Sequence, residues 1–445
     1  MSNRRMFFQF VIPSVMAFAL SGVYTVVDGF FVGNSLGDAG LASITLGFPI
    51  SAFIQAVGTG IGLSGAIRFT ILRGRDRRDE GTECFSSTVF LLALFSVLLS
   101  ATVLLFLSPL LSILGAEGTS LGLTAEYVEV IALGAAFQVF GTGLVPFIRN
   151  LGGAAFAMIS MIAGFLTNIV LDYLFVWVYS WGMGGAAWAT IIGQAVTMMG
   201  AIGFLVKKKI GFSIPSFRKV WGYFGTILKI AVAPFGLTFS PQITTILMNR
   251  FLMVYGGEQS VAVYGCIAYI IAIVYLLLQG VGDGSQPLIS KYFSEENVPV
   301  MKQMRGFAYL TSAVISFICM AVLFFTRRYV GILFGASPET NADVSNYLPL
   351  FLAVLLFLSY VRITTAYLYA TEKSGMSYVL VYAEPVLIFV LLNILPHISI
   401  LGLLGVWMTV PLAQLLTWCV SLYAKHRVDR QTVTKQYLEK EGITV

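Results

Sequence analysis

Twelve stretches of about twenty or more consecutive, mostly apolar residues follow one another along the chain, and nothing else in the sequence restricts its fold so strongly. A helix needs about 20 such residues to cross the hydrocarbon of a bilayer. The stretches fall at approximately 7–33, 41–67, 84–107, 126–147, 153–179, 184–206, 225–252, 261–287, 306–326, 344–364, 376–396 and 401–424. With 58% hydrophobic and only 11% charged residues, a water-soluble chain of 445 residues would lack the polar groups to cover its surface. Soluble domains carry roughly 25% charged residues. The pattern predicts an all-α integral membrane protein of twelve transmembrane helices. The first stretch, with Arg4 and Arg5 before it, runs from Phe7 to Val32. It is longer than the roughly 7–15 apolar residues of a cleavable signal and reads as the first span. Pro13 and Pro234 predict bends in the spans that hold them.

Lysine and arginine orient the spans. Of the 27, all but Arg250, Arg327 and Arg328 fall on one side of the predicted topology. That side is expected to be cytoplasmic, with both termini inside, in a multi-pass protein of the cell membrane. The net charge of +6 is spread over short loops rather than gathered on one domain, so it points to topology and not to nucleic acid. Cys84, Cys266, Cys319 and Cys419 sit in apolar surroundings without paired spacing and read as small hydrophobes. With only His397 and His426, a histidine metal site is not expected. No Walker-type loop occurs, which leaves transport driven by an ion gradient or by the substrate's own, with no cofactor.

The chain repeats itself at an offset of about 220 residues. Pro13 matches Pro234, Gly58-Thr-Gly-Ile-Gly62 matches Gly280-Val-Gly-Asp-Gly284, and Gly182 to Gln194 matches Gly402 to Gln414. Six spans per half give both halves one orientation, a parallel pseudo-two-fold repeat of two six-helix bundles. The expected division is an N-terminal lobe at 1–206, a cytoplasmic linker at 207–224, a C-terminal lobe at 225–424 and a cytoplasmic tail at 425–445. Two similar bundles that rock about a central site are the mechanical basis of alternating access. The glycine triplets lie inside apolar spans with no Lys-Ser or Lys-Thr after them, so close helix packing is their expected role.

Few of the 21 acidic residues lie inside spans. Asp28, Asp172 and Glu384 do, and a carboxylate at the bilayer centre costs at least about 2.5 kcal/mol, which makes each a candidate functional group. From a rise of about 1.5 Å per residue, Asp28, Asn168, Asp172 and Thr190 fall at comparable depths in the first bundle. Asn168 and Asp172, like Tyr24 and Asp28, are four residues apart and share a helix face. Two carboxylates, an amide carbonyl and a hydroxyl make an all-oxygen set that suits a hard cation such as sodium, and two close carboxylates share a proton readily. Glu384 either faces a water-filled cleft that attracts cationic substrates or pairs with Arg362. Asn249 and Gln279 join Glu384 as candidates for the substrate cleft. Asp283, near the end of its span, is expected to be solvated in the glycine-rich turn.

These residues resemble a known family, the multidrug and toxic compound extrusion (MATE) transporters. The resemblance rests on Pro13-Ser-Val-Met through Tyr24-Thr-Val-Val-Asp28-Gly-Phe-Phe-Val-Gly33, on Asn168-Ile-Val-Leu-Asp172-Tyr, and on Gly-Gly-Ala-Ala-Trp-Ala-Thr190 with Gln194. Gln279-Gly-Val-Gly-Asp-Gly-Ser-Gln-Pro287 and Gly405-Val-Trp407 extend it over essentially the whole chain. It implies a V-shaped pair of six-helix lobes and an antiporter, not an enzyme, that exports amphipathic or cationic drugs in exchange for H+ or Na+. It further implies a cation site at Asp28, Asn168, Asp172 and Thr190 with Tyr24 nearby, the residues that depth and spacing also single out. The expected partners are small drug-like substrates and the lipid bilayer, with the chain working as a monomer. Some members place an acidic residue in the seventh span, and here Ser240 to Leu252 has none. The alternative function is a flippase or exporter of lipid-linked or other amphipathic metabolites. That would call for several basic residues along the cleft, and few intramembrane cations are present.

Overall fold

A computed structural model describes residues 2–116, 118–213, 215–334, 336–398 and 400–440. Among them the chain forms thirteen α-helices and no strand. They are α1 Asn3–Gly74, α2 Arg78–Leu105, α3 Leu107–Ile113, α4 Gly118–Leu133, α5 Ala135–Asn150, α6 Ala154–Asp172, α7 Gly182–Lys207, α8 Phe217–Ser294, α9 Val298–Leu333, α10 Pro338–Leu352, α11 Leu355–Ala370, α12 Ser374–Leu392 and α13 Gly402–Lys440. This follows from the sequence, because a lipid-embedded backbone has no water to bond and the helix satisfies every peptide group internally. Nine helical segments among the described residues are long and apolar enough to cross a membrane, or eleven when each of two bent pairs counts as one span. The protein is therefore a multi-pass membrane protein. Its large apolar side chains face outward as freely as inward: Leu105, Ile113 and Phe325 are 78%, 81% and 79% exposed. Lipid imposes no penalty for that, whereas water would.

The helix breaks recur at matching positions. Gly37 leaves the helix at φ 64°, ψ −156° within α1, and Gly257 does so at φ 66°, ψ −168° within α8, 220 residues later. Only glycine enters that region without a Cβ clash. The pair Ser120–Leu133 and Ala135–Asn150 bends by 56°, and the pair Pro338–Leu352 and Leu355–Ala370 bends by 48°. By contrast α1 and α8 keep helical backbone through Pro13 and Pro234, and the breaks fall at glycines instead. Two helix starts carry a side-chain cap. Ser2 Oγ accepts from Arg5 N, and Ser337 Oγ accepts from Thr340 N with Pro338 in the first turn. The last helix runs on to Lys440, so residues 425–440 of the expected tail are helical, while 441–445 lie outside the described residues.

Two compact units emerge. The first holds the chain up to Phe239 together with Gln279–Phe307 and Tyr369–Glu372. The second holds Ser240–Leu278, Ala308–Leu368 and the chain from Lys373 on. The first unit's core includes an edge-to-face trio of Phe69, Phe85 and Phe147 with Ile54, Leu92 and Ile148 around it. The second is centred on fully buried Trp407, stacked on Tyr347 at 4.3 Å.

Within the first unit the 279–294 part of α8 lies against α1. A Cβ on Gly280 would stand 2.7 Å from the Val15 Cα, and one on Gly284 2.8 Å from the Val11 Cα, so only glycine permits this approach. A polar seam accompanies it. Arg149 pairs with Asp283 at 3.3 Å with both side chains buried, and Tyr369 donates to Asp283 at 3.4 Å. Thr70 donates to Asn150 at 2.6 Å, Asn150 to Gln286 at 3.0 Å, and Gln286 to Ser290 at 2.9 Å. Asp283 is thus not the solvated turn residue expected from its position in the span. A buried arginine and a tyrosine from elsewhere in the fold enclose it.

Candidate functional site

The packing of α1 on α6, and of α6 on α7, brings the five polar residues of the first bundle together. Asp28 stands one helical turn after Tyr24 on α1. Asn168 and Asp172 occupy the last turns of α6, directly before the backbone widens into a π-helical turn at Tyr173–Val178. Thr190 comes from α7. Asp28, Asn168, Asp172 and Thr190 are all buried, with Asp172 at 0% exposure, and Tyr24 is half-buried with its ring stacked on Phe165 at 5.3 Å.

The two carboxyl groups are neighbours in space, with Asn168 beside Asp172 and Tyr24 beside Thr190. Asn168 Nδ2 donates to Thr190 Oγ1 at 3.5 Å. Yet four buried oxygens here receive no hydrogen bond: Asp28 Oδ1, both Oδ atoms of Asp172 and Asn168 Oδ1. A pair of ionised carboxylates has no hydrogen to share, and their contact becomes a hydrogen bond only when one of them holds a proton. Two unit negative charges about 4 Å apart at an effective dielectric near 20 repel by about 4 kcal/mol. No lysine, arginine or histidine forms an ion pair with either group among the described residues. The cluster is therefore a cage of two carboxyl groups with no basic partner among the described residues and with four oxygens unbonded. Its donor set of carboxylates, an amide carbonyl and a hydroxyl fits a small hard cation or a proton. No group of three or more His, Cys, Asp or Glu residues that could hold a metal ion occurs among the described residues.

Three residues that the spacing argument missed extend this cage. Tyr127 of α4 is buried and feels both carboxylates, and Ser51 is within hydrogen-bonding reach of it. Gln138 of α5 donates to Ser51 Oγ at 3.0 Å and to its carbonyl at 3.2 Å, leaving Gln138 Oε1 buried without a donor. A lone glutamine amid an apolar span was a usable signal for Gln138. For Tyr127, at the edge of its span, there was none.

Glu384, Asn249 and Gln279 are not gathered in the same way. No hydrogen bond joins any two of them, and Gln279 belongs to the first unit while the other two belong to the second. Asn249 is half-buried with Oδ1 unbonded. Glu384 Oε1 has Gln414 Nε2 at 3.5 Å, and the charge of Arg362 acts on it through space.

Comparison with known proteins gives a consistent result. A family model described as MatE matches residues 13–174 and 230–395. The multidrug export protein MepA of Staphylococcus saprophyticus is 25% identical over 433 residues, 96% of this chain and 95% of that protein. MepA of Staphylococcus aureus is 24% identical over 97% of this chain and 95% of its own. A multidrug resistance MATE family transporter of the MOP superfamily, solved in an outward-facing conformation, superposes with a TM-score of 0.88 at 22% identity over 97% of both chains. A MOP superfamily transporter from Pyrococcus furiosus, described as having a binding pocket of reversed polarity, gives 0.89 at 23% identity over 96% of both. These solved structures share the fold.

Proposed function

The chain belongs to the MatE family and is a transporter rather than an enzyme, and from that premise we propose that it is an antiporter that exports amphipathic or cationic drugs in exchange for H+ or Na+. The observation that carries this reading is the buried acid-only cage with four unbonded oxygens at Asp28, Asp172 and Asn168. The cation enters between Asp28 and Asp172. Asn168 Oδ1 and the Thr190 hydroxyl complete its oxygen shell, and Tyr24 and Tyr127 line it. A cation that binds one conformation more tightly than the other shifts the balance between them, and drug affinity changes reciprocally. Because the ligands sit on α1, α6 and α7, filling the cage draws those helices together and reshapes the first unit. The drug class follows from the names of the staphylococcal relatives and from the apolar character of the spans.

The reading includes twelve spans in two halves. Dividing the 78-residue α8 at Gly257 adds one span to the eleven, and the matching breaks at Gly37 and Gly257 support a parallel repeat. The lobes are taken as 1–206 and 225–424 with a linker at 207–224, and the protein as a monomer in the cell membrane with both termini cytoplasmic, as the lysine and arginine distribution favours. The test is efflux from vesicles energised separately by a sodium or a proton gradient. Efflux should follow one gradient and be lost in Asp28→Asn. Undiminished gradient-dependent efflux by that variant would remove the cage from the mechanism.

A further inference from the structure

The segment that joins α7 to α8 carries charge of one sign only. No acidic residue stands between Asp172 and Glu258, the longest such gap in the chain, while Lys207, Lys208, Lys209, Arg218 and Lys219 crowd into 207–219. At other turns a basic group has an acid beside it: Arg77 pairs with Glu80, Arg78 with Asp76 and Lys291 with Glu295. Here only Lys219 does, with Glu83 at 2.8 Å. Lys208 lies over the Phe204 ring at 5.6 Å. Lys209 and Arg218 are exposed and form no ion pair among the described residues.

Orientation in a membrane asks for positive charge at one end of a span, not for charge at fixed positions. In this segment the positions are fixed. Ser213 N donates to Ser86 Oγ at 2.9 Å, and the Tyr223 hydroxyl donates to Glu83 at 3.2 Å beside the Lys219 bond. Phe212 meets Phe90 edge to face at 5.5 Å, and Ile210, Tyr223 and Phe224 pack on the core of the first unit. A Cβ on Gly211 would stand 3.4 Å from Thr82 Cγ2, one residue before Glu83. Both ends of the segment therefore reach the same edge of α2. That puts Lys209, two residues before Gly211, on one edge with Arg218, the neighbour of Lys219.

Open aromatic rings stand beside these charges. Phe217 is 79% and Trp221 60% exposed, one helical turn apart with ring centroids at 6.0 Å. The exposed face of α8 continues through Gly222, Gly225 and Leu228 into the apolar span. Tryptophan at the end of a span settles at headgroup level, where basic groups meet lipid phosphates.

We propose that Lys209 and Arg218, with Phe217 and Trp221, form a binding site for an anionic phospholipid. The lipid phosphate pairs with both basic groups, and an acyl chain runs along the two rings toward the span. A zwitterionic lipid brings its own cation to the same place and binds less well. The site lies outside the cage and does not rest on the coupling reading. It fastens a segment already held on α2 to the bilayer.

The test is lipid competition on purified full-length protein in nonionic detergent. Equimolar phosphatidylglycerol and phosphatidylcholine with identical acyl chains are added, and bound lipids are counted by native mass spectrometry. The wild type should retain phosphatidylglycerol about twentyfold over phosphatidylcholine, and Lys209→Gly and Arg218→Gln should each lower that preference about fivefold, the size expected for one basic group at an anionic surface. The double variant Lys209→Gly/Arg218→Gln should abolish it. Lys209 holds φ 53°, where glycine is the favoured residue, so Lys209→Gly removes the charge without straining the fold. Trp221→Ala should lower retention of both lipids and leave their ratio unchanged. Arg4→Gln/Arg5→Gln removes two exposed positive charges elsewhere and should leave the preference intact. Asp28→Asn should keep it too, whatever becomes of its efflux, which separates this site from the coupling reading. Detergent gives lipid access to both ends of the protein, so the outcome does not turn on which end is cytoplasmic. A preference near one in the wild type, or an equal loss in Arg4→Gln/Arg5→Gln and in Lys209→Gly/Arg218→Gln, would overturn the proposal.

Discussion

The two polar clusters sit in similar lipid-facing bundles, yet they solve the cost of buried charge in opposite ways. In the first unit Asp28 and Asp172 face each other without a base, and their oxygens stay unbonded. In the second, Glu384 accepts from Gln414, and Arg362, over the Tyr275 ring, acts on it through space. Like charges held together are unfavourable until something positive arrives, and the proposed cation coupling rests on that property of the first cluster. An acid that has a cation and an amide among its neighbours carries a smaller electrostatic cost than two acids that face each other. The lesson is that an intramembrane carboxylate does not announce its role by depth alone. The charge of its neighbours decides.

The comparison breaks most visibly in pumping. Asp28→Asn or Asp172→Asn should lower gradient-driven efflux by more than about tenfold, whereas Glu384→Gln, outside the cage, should change it by less than about threefold, since coupling needs the cation to bind the two conformations differently. Equal losses in all three, measured in energised vesicles, would erase the distinction. Stability is the next contrast, and its sign differs between the clusters. Removing Arg362 alone leaves Glu384 without its opposing charge, so Arg362→Met should cost about 3 kcal/mol and Arg362→Met/Glu384→Met should recover most of it. Asp28→Asn removes a like-charge contact and should leave the thermal midpoint equal to or above the wild type. Saturating cation sharpens the contrast further. At about a hundred times its dissociation constant, the coupling ion should stabilise the wild type by about 2.7 kcal/mol. Arg362→Met/Glu384→Met should respond equally, and Asp28→Asn/Asp172→Asn not at all, as read by thermal shift. The smallest effect belongs to the neutral ligands: Thr190→Val should weaken cation binding by about fivefold, in keeping with one neutral hydrogen-bonding group. A larger loss than that of Asp28→Asn would show that the carboxylates are not the main ligands.

Much of the first cluster was legible because the sequence supplies two rulers, rise per residue and the four-residue helix face. Together they put Asp28, Asn168, Asp172 and Thr190 at one depth before any packing was known. The rulers fail across helices. Tyr127, Ser51 and Gln138 join the cage from α4, α1 and α5 through contacts that no spacing encodes. Asp283 has the local pattern of a solvated turn residue, yet Arg149 from far along the chain buries it. The choice between cleft and arginine for Glu384 stayed open for the same reason, since Arg362 lies on another helix. The breaks at Gly37 and Gly257 escaped notice because glycine is common in membrane helices and proline draws the attention.

By itself the sequence determined that this chain is a bundle of membrane helices, because lipid leaves a backbone no partner but itself and apolar runs of spanning length admit no other fold. It also determined which few polar residues bear the cost of burial. Only the tertiary structure decided which of them meet and with what charge beside them, because electrostatic character depends on neighbours a few ångströms away in space that can be hundreds of residues away in the chain.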